Sequence, residues 1–357
     1  MSAAFVATMG ANAANDMTTA RKPLNAVTPI AFVRAIVAAY ERYGLDPAGA
    51  LKQAQITPRS LADDTTLVTA SQFEVLSAHA MQEMDDEGLG WFSRRLPWGS
   101  YGLLMRASVT APDLAVALKR WCRHHRLLTD DVLLHLETDG ERASLWLEER
   151  RAPAAAVREL CLVTLLRYVH GFASWAIDSR IVLQGLAFAQ PAPPHAAVFP
   201  LLFGCRPAFD AAVTRMDFDA RYLRLPLVRD EAATRAMLQR ALQLTVRLYR
   251  RDRLLVDRVA GLLRDDAGAN AETLAMALAV SVRTLHRQLA DEGASLQALK
   301  DQTRQARAMT LLRTTDKPLK QIALAAGFTN EKSFARAFRS WTGVAPGVWR
   351  RQVPDPG

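Results

Sequence analysis

Apolar positions give the first reading of the chain, because their spacing differs between helix and strand. Over "TPIAFVRAIVAAYERYG" they fall on one face of a 3.6-residue repeat, with Thr28 placed as N-cap, Pro29 at the first helical position and Gly44 as the stop. "DLAVALKRWCRHHRLL" keeps the same repeat. The period then drops to two. "DVLLHLETDGERASLWLEE" contains two alternating segments around Asp139-Gly140, the pattern of a β-hairpin. "RIVLQGLAFAQPAPPHAAVFPLLFG" predicts a strand, a proline-rich turn and a short helix, and "AAVTRMDFDARYL" predicts a further strand. The part up to about Arg250 is therefore α+β.

From Val228 to Arg264 helix formers run together with clustered charge, including "RLYRRDR". This stretch predicts a linker or connecting helix over 230–252, with a hinge near Tyr249 to Arg253 as the alternative. Beyond it only helical patterns remain, in short amphipathic pieces separated by turn signals. The expected architecture is multi-domain: an α+β domain over 23–229, the linker, and an all-α domain over 253–351. Residues 1–22, rich in Ala, Asn and Thr, lack the basic start and apolar core of a secretion signal and predict a disordered tail, with Met17 as an alternative start.

The last third repeats itself. Leu274 aligns with Ile322, Ala275 with Ala323 and Val280 with Phe328, all 48 apart. After one extra residue in the second turn, Leu285 aligns with Phe334, Arg287 with Arg336 and Leu289 with Phe338, all 49 apart. Each copy predicts a short helix, a tight turn at Gly327 or its counterpart, and a second helix with an apolar i, i+4 pair. That is a helix-turn-helix, twice. "LQALKDQTRQARAMTLLRT" between them has neither Gly nor Pro and predicts a connecting helix about 28 Å long. Neighbouring major-groove faces on one side of a duplex lie about 34 Å apart, so the reach suits two recognition helices.

A recognition helix needs one buried face to hold it and one polar face for base edges and phosphates. Leu285 and Leu289, then Phe334, Phe338 and Trp341, supply the first. Arg283, His286 and Arg287, then Lys332, Ser333 and Arg336, supply the second. Ser281 and Asn330 are the N-caps, and the amide ends they mark are suited to phosphate. Glu331 opens the second helix, where a carboxylate either accepts from cytosine or favours the helix end. A single basic amphipathic helix is more simply a solvated surface helix. Two matched copies point to DNA.

Charge agrees with that placement. The net charge is +9. From Arg251 onward there are 17 Lys and Arg against 11 Asp and Glu, and before it 28 against 25, so the excess is concentrated where the repeat lies. Cys122, Cys161 and Cys205 are sparse and far apart, which argues against a disulfide framework and fits a reducing cytoplasm. No metal-ligand spacing occurs, and the adjacent His124 and His125 point about 100° apart on a helix, so neither metal nor cofactor is expected. No apolar run is long enough to span a membrane.

With those residues in place, "RTLHRQLADEG" followed by "IALAAGFTNEKSFARAFRSWTGVAPGVWR" closely resembles the DNA-binding domain of the AraC/XylS family of bacterial transcription regulators. Ile322-Ala323, Gly327-Phe328, Ser333-Phe334, Arg336-Ala337-Phe338, Trp341-Thr342-Gly343 and Pro346 stand in family order. "LPWGSYGLLMRASVTAPDLAVALKRWCRHHRLL" and "MDFDARYLRLPL" are similar to the arabinose-binding-like sensor domain of one branch of that family. The resemblance implies an α+β N-terminal effector and dimerisation domain, and an all-α C-terminal domain with two helix-turn-helix motifs joined by a long helix. It also implies promoter DNA, a small-molecule effector, a homodimer and RNA polymerase as partners, with activation the commoner outcome. The family's sugar-binding residues do not carry over. Trp98, Tyr101, Arg106, Trp121 and Arg123 combine aromatic walls with cationic groups as a carboxylate-binding pocket would, against a simpler reading in which Trp98 and Tyr101 pack the core and the arginines are solvated.

Two other functions compete. An enzyme with a DNA-binding tail would need a nucleophile and base, a metal set or a phosphate loop, and no such motif is present. The paired acids Asp63-Asp64, Asp85-Asp86, Asp130-Asp131 and Asp265-Asp266 fall at helix starts or in loops, where capping explains them. A protein-interaction module whose basic helices meet an acidic partner is separated from a DNA reader by selectivity for duplex sequence.

Overall fold

The structure, a computed structural model, describes residues 27–238 and 252–352. The tail expected over 1–22, the linker beyond Leu238 and the hinge residues before Asp252 lie outside the described residues.

A three-residue strand, β1 (Val27–Pro29), pairs antiparallel with β2 (Leu67–Thr69). Between and after them run α1 (Ile30–Arg42), α2 (Ala48–Gln53), α3 (Pro58–Ala62) and α4 (Ala70–Glu83). Thr28 is therefore not the N-cap of α1. It is buried in β1, and Pro29 occupies the cap position without a side-chain bond. Pairing with β2 decided this, a contact between segments far apart in sequence. At the other end of that pairing, Thr69 and Gln72 form a reciprocal capping box for α4.

Next come α5 (Ser100–Val109) and α6 (Leu114–Leu128), the latter capped by Asp113. The predicted hairpin is β3 (Val132–Asp139) and β4 (Arg142–Glu149), and its turn is Gly140-Glu141, since Asp139 pairs with Arg142. With β5 (Leu183–Ala187) and β6 (Thr214–Asp219) they form an antiparallel sheet of order β3-β4-β6-β5. The 22-residue α7 (Ala155–Ala176) is buried over most of its length, and Arg167 and His170 are buried with its apolar residues. Trp121 of α6 stacks on Phe172 of α7 with ring centroids 4.7 Å apart, fixing those two helices together. The short α8 (Phe199–Phe203) and α9 (Glu231–Leu238) complete this part.

Asp265 is the last residue of the helix Leu255–Asp265, and the other paired acids follow helix ends or sit in loops; none starts a helix. Their carboxylates hold loop amides instead. Asp86 accepts from the backbone of Gly88, Gly90 and Leu96, Asp63 from Thr65, Asp131 from Ser93 and Asp266 from Gly268. In each pair, loop geometry and not capping accounts for at least one carboxylate.

From Leu255 the chain is helical among the described residues: α10 (Leu255–Asp265), α11 (Ala271–Ala277), α12 (Val282–Asp291), α13 (Leu296–Thr314), α14 (Leu319–Ala325), α15 (Glu331–Thr342) and α16 (Pro346–Gln352). Two separate apolar clusters stabilise it. Leu255, Val259, Leu263, Leu274, Leu285 and Leu289 form the first, and Ile322, Ala323, Phe334 and Phe338 the second. The long α13 belongs to both, giving Leu296 and Leu299 to one and Ala308 and Leu312 to the other.

Candidate functional site

The two helix pairs, α11–α12 and α14–α15, close their turns with the same backbone bond. Val280 N–H donates to Ala275 O at 2.9 Å, and Phe328 N–H donates to Ala323 O at 2.9 Å. Both turns also need a left-handed residue one position earlier: Ala279 has φ +51 and Gly327 has φ +81. Only at the second is glycine required on two counts. A Cβ at Gly327 would lie 2.9 Å from the carbonyl oxygen of Ala267, a backbone atom before α11. The second turn is thus packed directly against the first unit.

The caps form as the sequence predicts. Ser281 Oγ accepts from Thr284 N–H at 3.1 Å, and Asn330 Oδ1 accepts from Ser333 N–H at 2.8 Å. Both side chains are thereby occupied in orienting their helices. Behind them, Leu285 and Leu289 in α12, and Phe334 and Phe338 in α15, are fully buried. In front, Arg283, His286 and Arg287 are exposed on α12, and Lys332 and Arg336 on α15. Ser333 is half-buried and Glu331 exposed in the first turn of α15. Arg339, one turn beyond Arg336, is exposed as well and extends the cationic face. Arg304 of α13 places its guanidinium 5.2 Å from the centre of the Phe328 ring, tying the long helix to the second turn.

A second site lies in the N-terminal part. Trp98, Tyr101, Arg106 and Trp121 line one cavity of about 230 Å³. Arg123 does not; it is exposed on another face of α6, two residues on from Trp121, because helical spacing turns it away. Tyr101 and Trp121 are buried, Trp98 is 49 % exposed, and Arg106 is exposed with its Nε 4.0 Å from Glu231. Buried Tyr101 and exposed Arg106 and Arg123 match the simpler reading and half-exposed Trp98 does not, while the cavity gathers all of the five but Arg123.

Sequence reasoning missed Glu87, Tyr168 and Leu238, which share the lining. Glu87 follows the acids Asp85 and Asp86, the one local signal available. Its carboxylate accepts from Gly99 N–H at 2.8 Å and Tyr101 N–H at 2.7 Å, at the start of α5. Burial pushes its carboxyl above the usual range despite those bonds, and Asp86 and Asp85 add to the rise. Tyr168 comes from α7 and Leu238 from α9, and only the packing of these helices brings them to α5.

Residues 274–352 match a helix-turn-helix domain, and residues 44–227 match the N-terminal arabinose-binding domain of AraC transcription regulators. Together these define a DNA-binding transcription regulator, not an enzyme. The chain belongs to the AraC family. It is 27 % identical to the ornithine utilization regulator of Pseudomonas aeruginosa, over 92 % of this chain and 99 % of that one. The transcriptional activator NphR of a Rhodococcus species is 34 % identical over 24 % of this chain and 26 % of its own. Among solved structures, the transcriptional regulator CdpR of Pseudomonas aeruginosa aligns over 85 % of this chain and 96 % of its own, at 20 % identity and a TM-score of 0.32. No helix among the described residues is long and apolar enough to cross a membrane.

Proposed function

We propose that the chain is a sequence-specific transcriptional activator whose two helix-turn-helix motifs, α11–α12 and α14–α15, read neighbouring major grooves of promoter DNA. The observation that carries this is the repeated pairing of a buried apolar seat with an exposed cationic face on α12 and on α15. Arg283, His286 and Arg287 are the reading groups of the first helix, and Lys332, Ser333 and Arg336 those of the second. Ser281 and Asn330 set the helix ends toward phosphate, and Glu331 accepts from cytosine or steadies the start of α15. Rigid α13, rooted in both clusters, sets the spacing. The domains are an effector-sensing and dimerisation domain over 23–229, a connection over 230–252 and the DNA-binding domain over 253–351. The active species is a cytoplasmic homodimer acting with RNA polymerase.

The effector occupies the cavity lined by Trp98, Tyr101, Arg106 and Trp121. One relative is named for ornithine utilization, which makes small amino-acid-like metabolites the first to try.

Selection of bound duplexes from a random pool, with the full chain at near-physiological salt, tests the reading. Recovery of a bipartite motif with blocks about one helical turn apart is expected. Recovery of no motif with and without candidate effectors, and binding lost on modest salt addition, would remove base reading and leave only phosphate contact.

A further inference from the structure

The chemistry of the cavity restricts what it can hold, and this inference rests on its being the effector site. At about 230 Å³ it is larger than the ~150 Å³ space that accommodates benzene in a protein interior, so the occupant has roughly ten non-hydrogen atoms. Four aromatic rings line it: Trp98, Tyr101, Trp121 and Tyr168. The Tyr101 and Tyr168 rings lie 4.9 Å apart, tilted by 41°. Ring faces are electron-rich and attract cations, indole most of all, and more strongly where water is excluded.

The same lining holds a buried acid. Glu87 is 8 % exposed, and each of its oxygens accepts one backbone N–H, leaving further lone pairs on both. No Lys or Arg among the described residues forms an ion pair with it; Arg106, the cation in the lining, has Glu231 as its near acid. Burial raises the cost of its charge, the neighbouring Asp86 and Asp85 add to it, and a cation meeting the carboxylate would offset that cost. A polar donor is unmatched as well. Trp121 is 1 % exposed, and its indole N–H has no acceptor among the described residues. A buried donor of this kind costs about 1–3 kcal/mol until it meets an acceptor.

We propose that the cavity binds a small organic ammonium compound carrying a hydrogen-bond acceptor. The ammonium meets the Glu87 carboxylate and the ring faces, and the acceptor takes the Trp121 N–H. A ligand that also bears a carboxylate finds Arg106 in the lining. This is the chemistry of an amine or a free amino acid. A neutral sugar would leave Glu87 without its cation.

The test is calorimetric titration of the full chain with L-ornithine and choline as ammonium probes, and with pentanoate and L-arabinose as anionic and neutral probes. At least one ammonium probe is expected to bind, with affinity reduced about tenfold or more by Glu87→Gln and by Trp98→Ala, and largely restored by Trp98→Phe. Trp98 is half exposed, so its variants are expected to keep the parent melting temperature. Should Glu87→Gln not fold, the Trp98 pair carries the test. Failure of both ammonium probes overturns the proposal, as does pentanoate or arabinose binding in their place. If that binding is lost in Trp98→Ala, the cavity is still the effector site and only the ligand class falls. Binding unchanged in every variant places the ligand elsewhere and overturns both readings.

Discussion

Tyr222 Oη donates to the Asp252 carboxylate at 2.9 Å, joining the N-terminal part to a residue three positions before the first helix of the DNA-binding part. Asp252 is 3 % exposed and also accepts from Leu254 N–H at 3.0 Å and from Arg258 at 2.7 Å. Alongside, Arg253 N–H donates to Ser179 Oγ at 2.8 Å, and Arg221 reaches Asp257 at 3.5 Å. A single buried carboxylate thus gathers a hydroxyl, a backbone amide and a guanidinium at the junction of the two parts.

Asp252→Ala removes that carboxylate and leaves the Tyr222 hydroxyl and the Arg258 guanidinium without it. A loss of about 3 kcal/mol is expected, because breaking a buried pair strands the remaining charge. Denaturant unfolding of the full chain measures it. Tyr222→Phe, which removes one neutral donor, should cost only about 1 kcal/mol. Equal losses in the two variants would show that Arg258 does not depend on Asp252.

The two turns should respond in opposite directions. Gly327→Ala forces a Cβ to within 2.9 Å of the Ala267 carbonyl in a left-handed backbone, and should cost about 2 kcal/mol or more. Ala279→Gly relieves a left-handed alanine and should be neutral or stabilising by up to about 1 kcal/mol. Melting temperatures of both variants check the pair.

Arg287→Ala and Arg336→Ala are each expected to cost about 1–3 kcal/mol on the selected duplex and to relax preference at particular base pairs. Competition binding against duplexes varied at one position measures this. Equal weakening on all duplexes would assign these arginines to phosphate. Both are exposed, so stability should change by less than about 0.5 kcal/mol.

Two buried histidines give the protein a defined acid response. Burial lowers His125 from its ordinary 6.5 to about 4, and its Nδ1 has no partner among the described residues. Burial, and then Arg167, lowers His170 to about 3; its Nδ1 accepts from Arg167 at 3.1 Å and its Nε2–H donates to the Ile181 carbonyl at 2.8 Å. In each case the unfolded chain takes up the proton first. Their contribution is therefore complete above about 6.5, falls as pH drops toward 4, and levels off below about 3. Urea midpoints between pH 8 and 4 should decline, and His125→Gln should decline less steeply.

Sequence alone determined the elements wherever the signal was local. The Asp139-Gly140 hairpin and the caps at Ser281 and Asn330 are each set by neighbours within a few residues, so periodicity and turn chemistry suffice. The repeat was legible for a related reason. Two copies of one motif must bury the same positions, and Leu285 and Phe334 carry that in the sequence.

What tertiary structure decided depends on residues far apart. Thr28 went to a strand because β2 pairs with it. The paired acids became loop anchors because their acceptors are matched to amides that only the folded loops present. Trp98, Tyr101, Arg106 and Trp121 close around a cavity only when Tyr168 of α7 and Leu238 of α9 complete its wall, and Arg123 is excluded by the rotation of α6. The space between side chains is set by how helices pack, and no spacing along the chain encodes it.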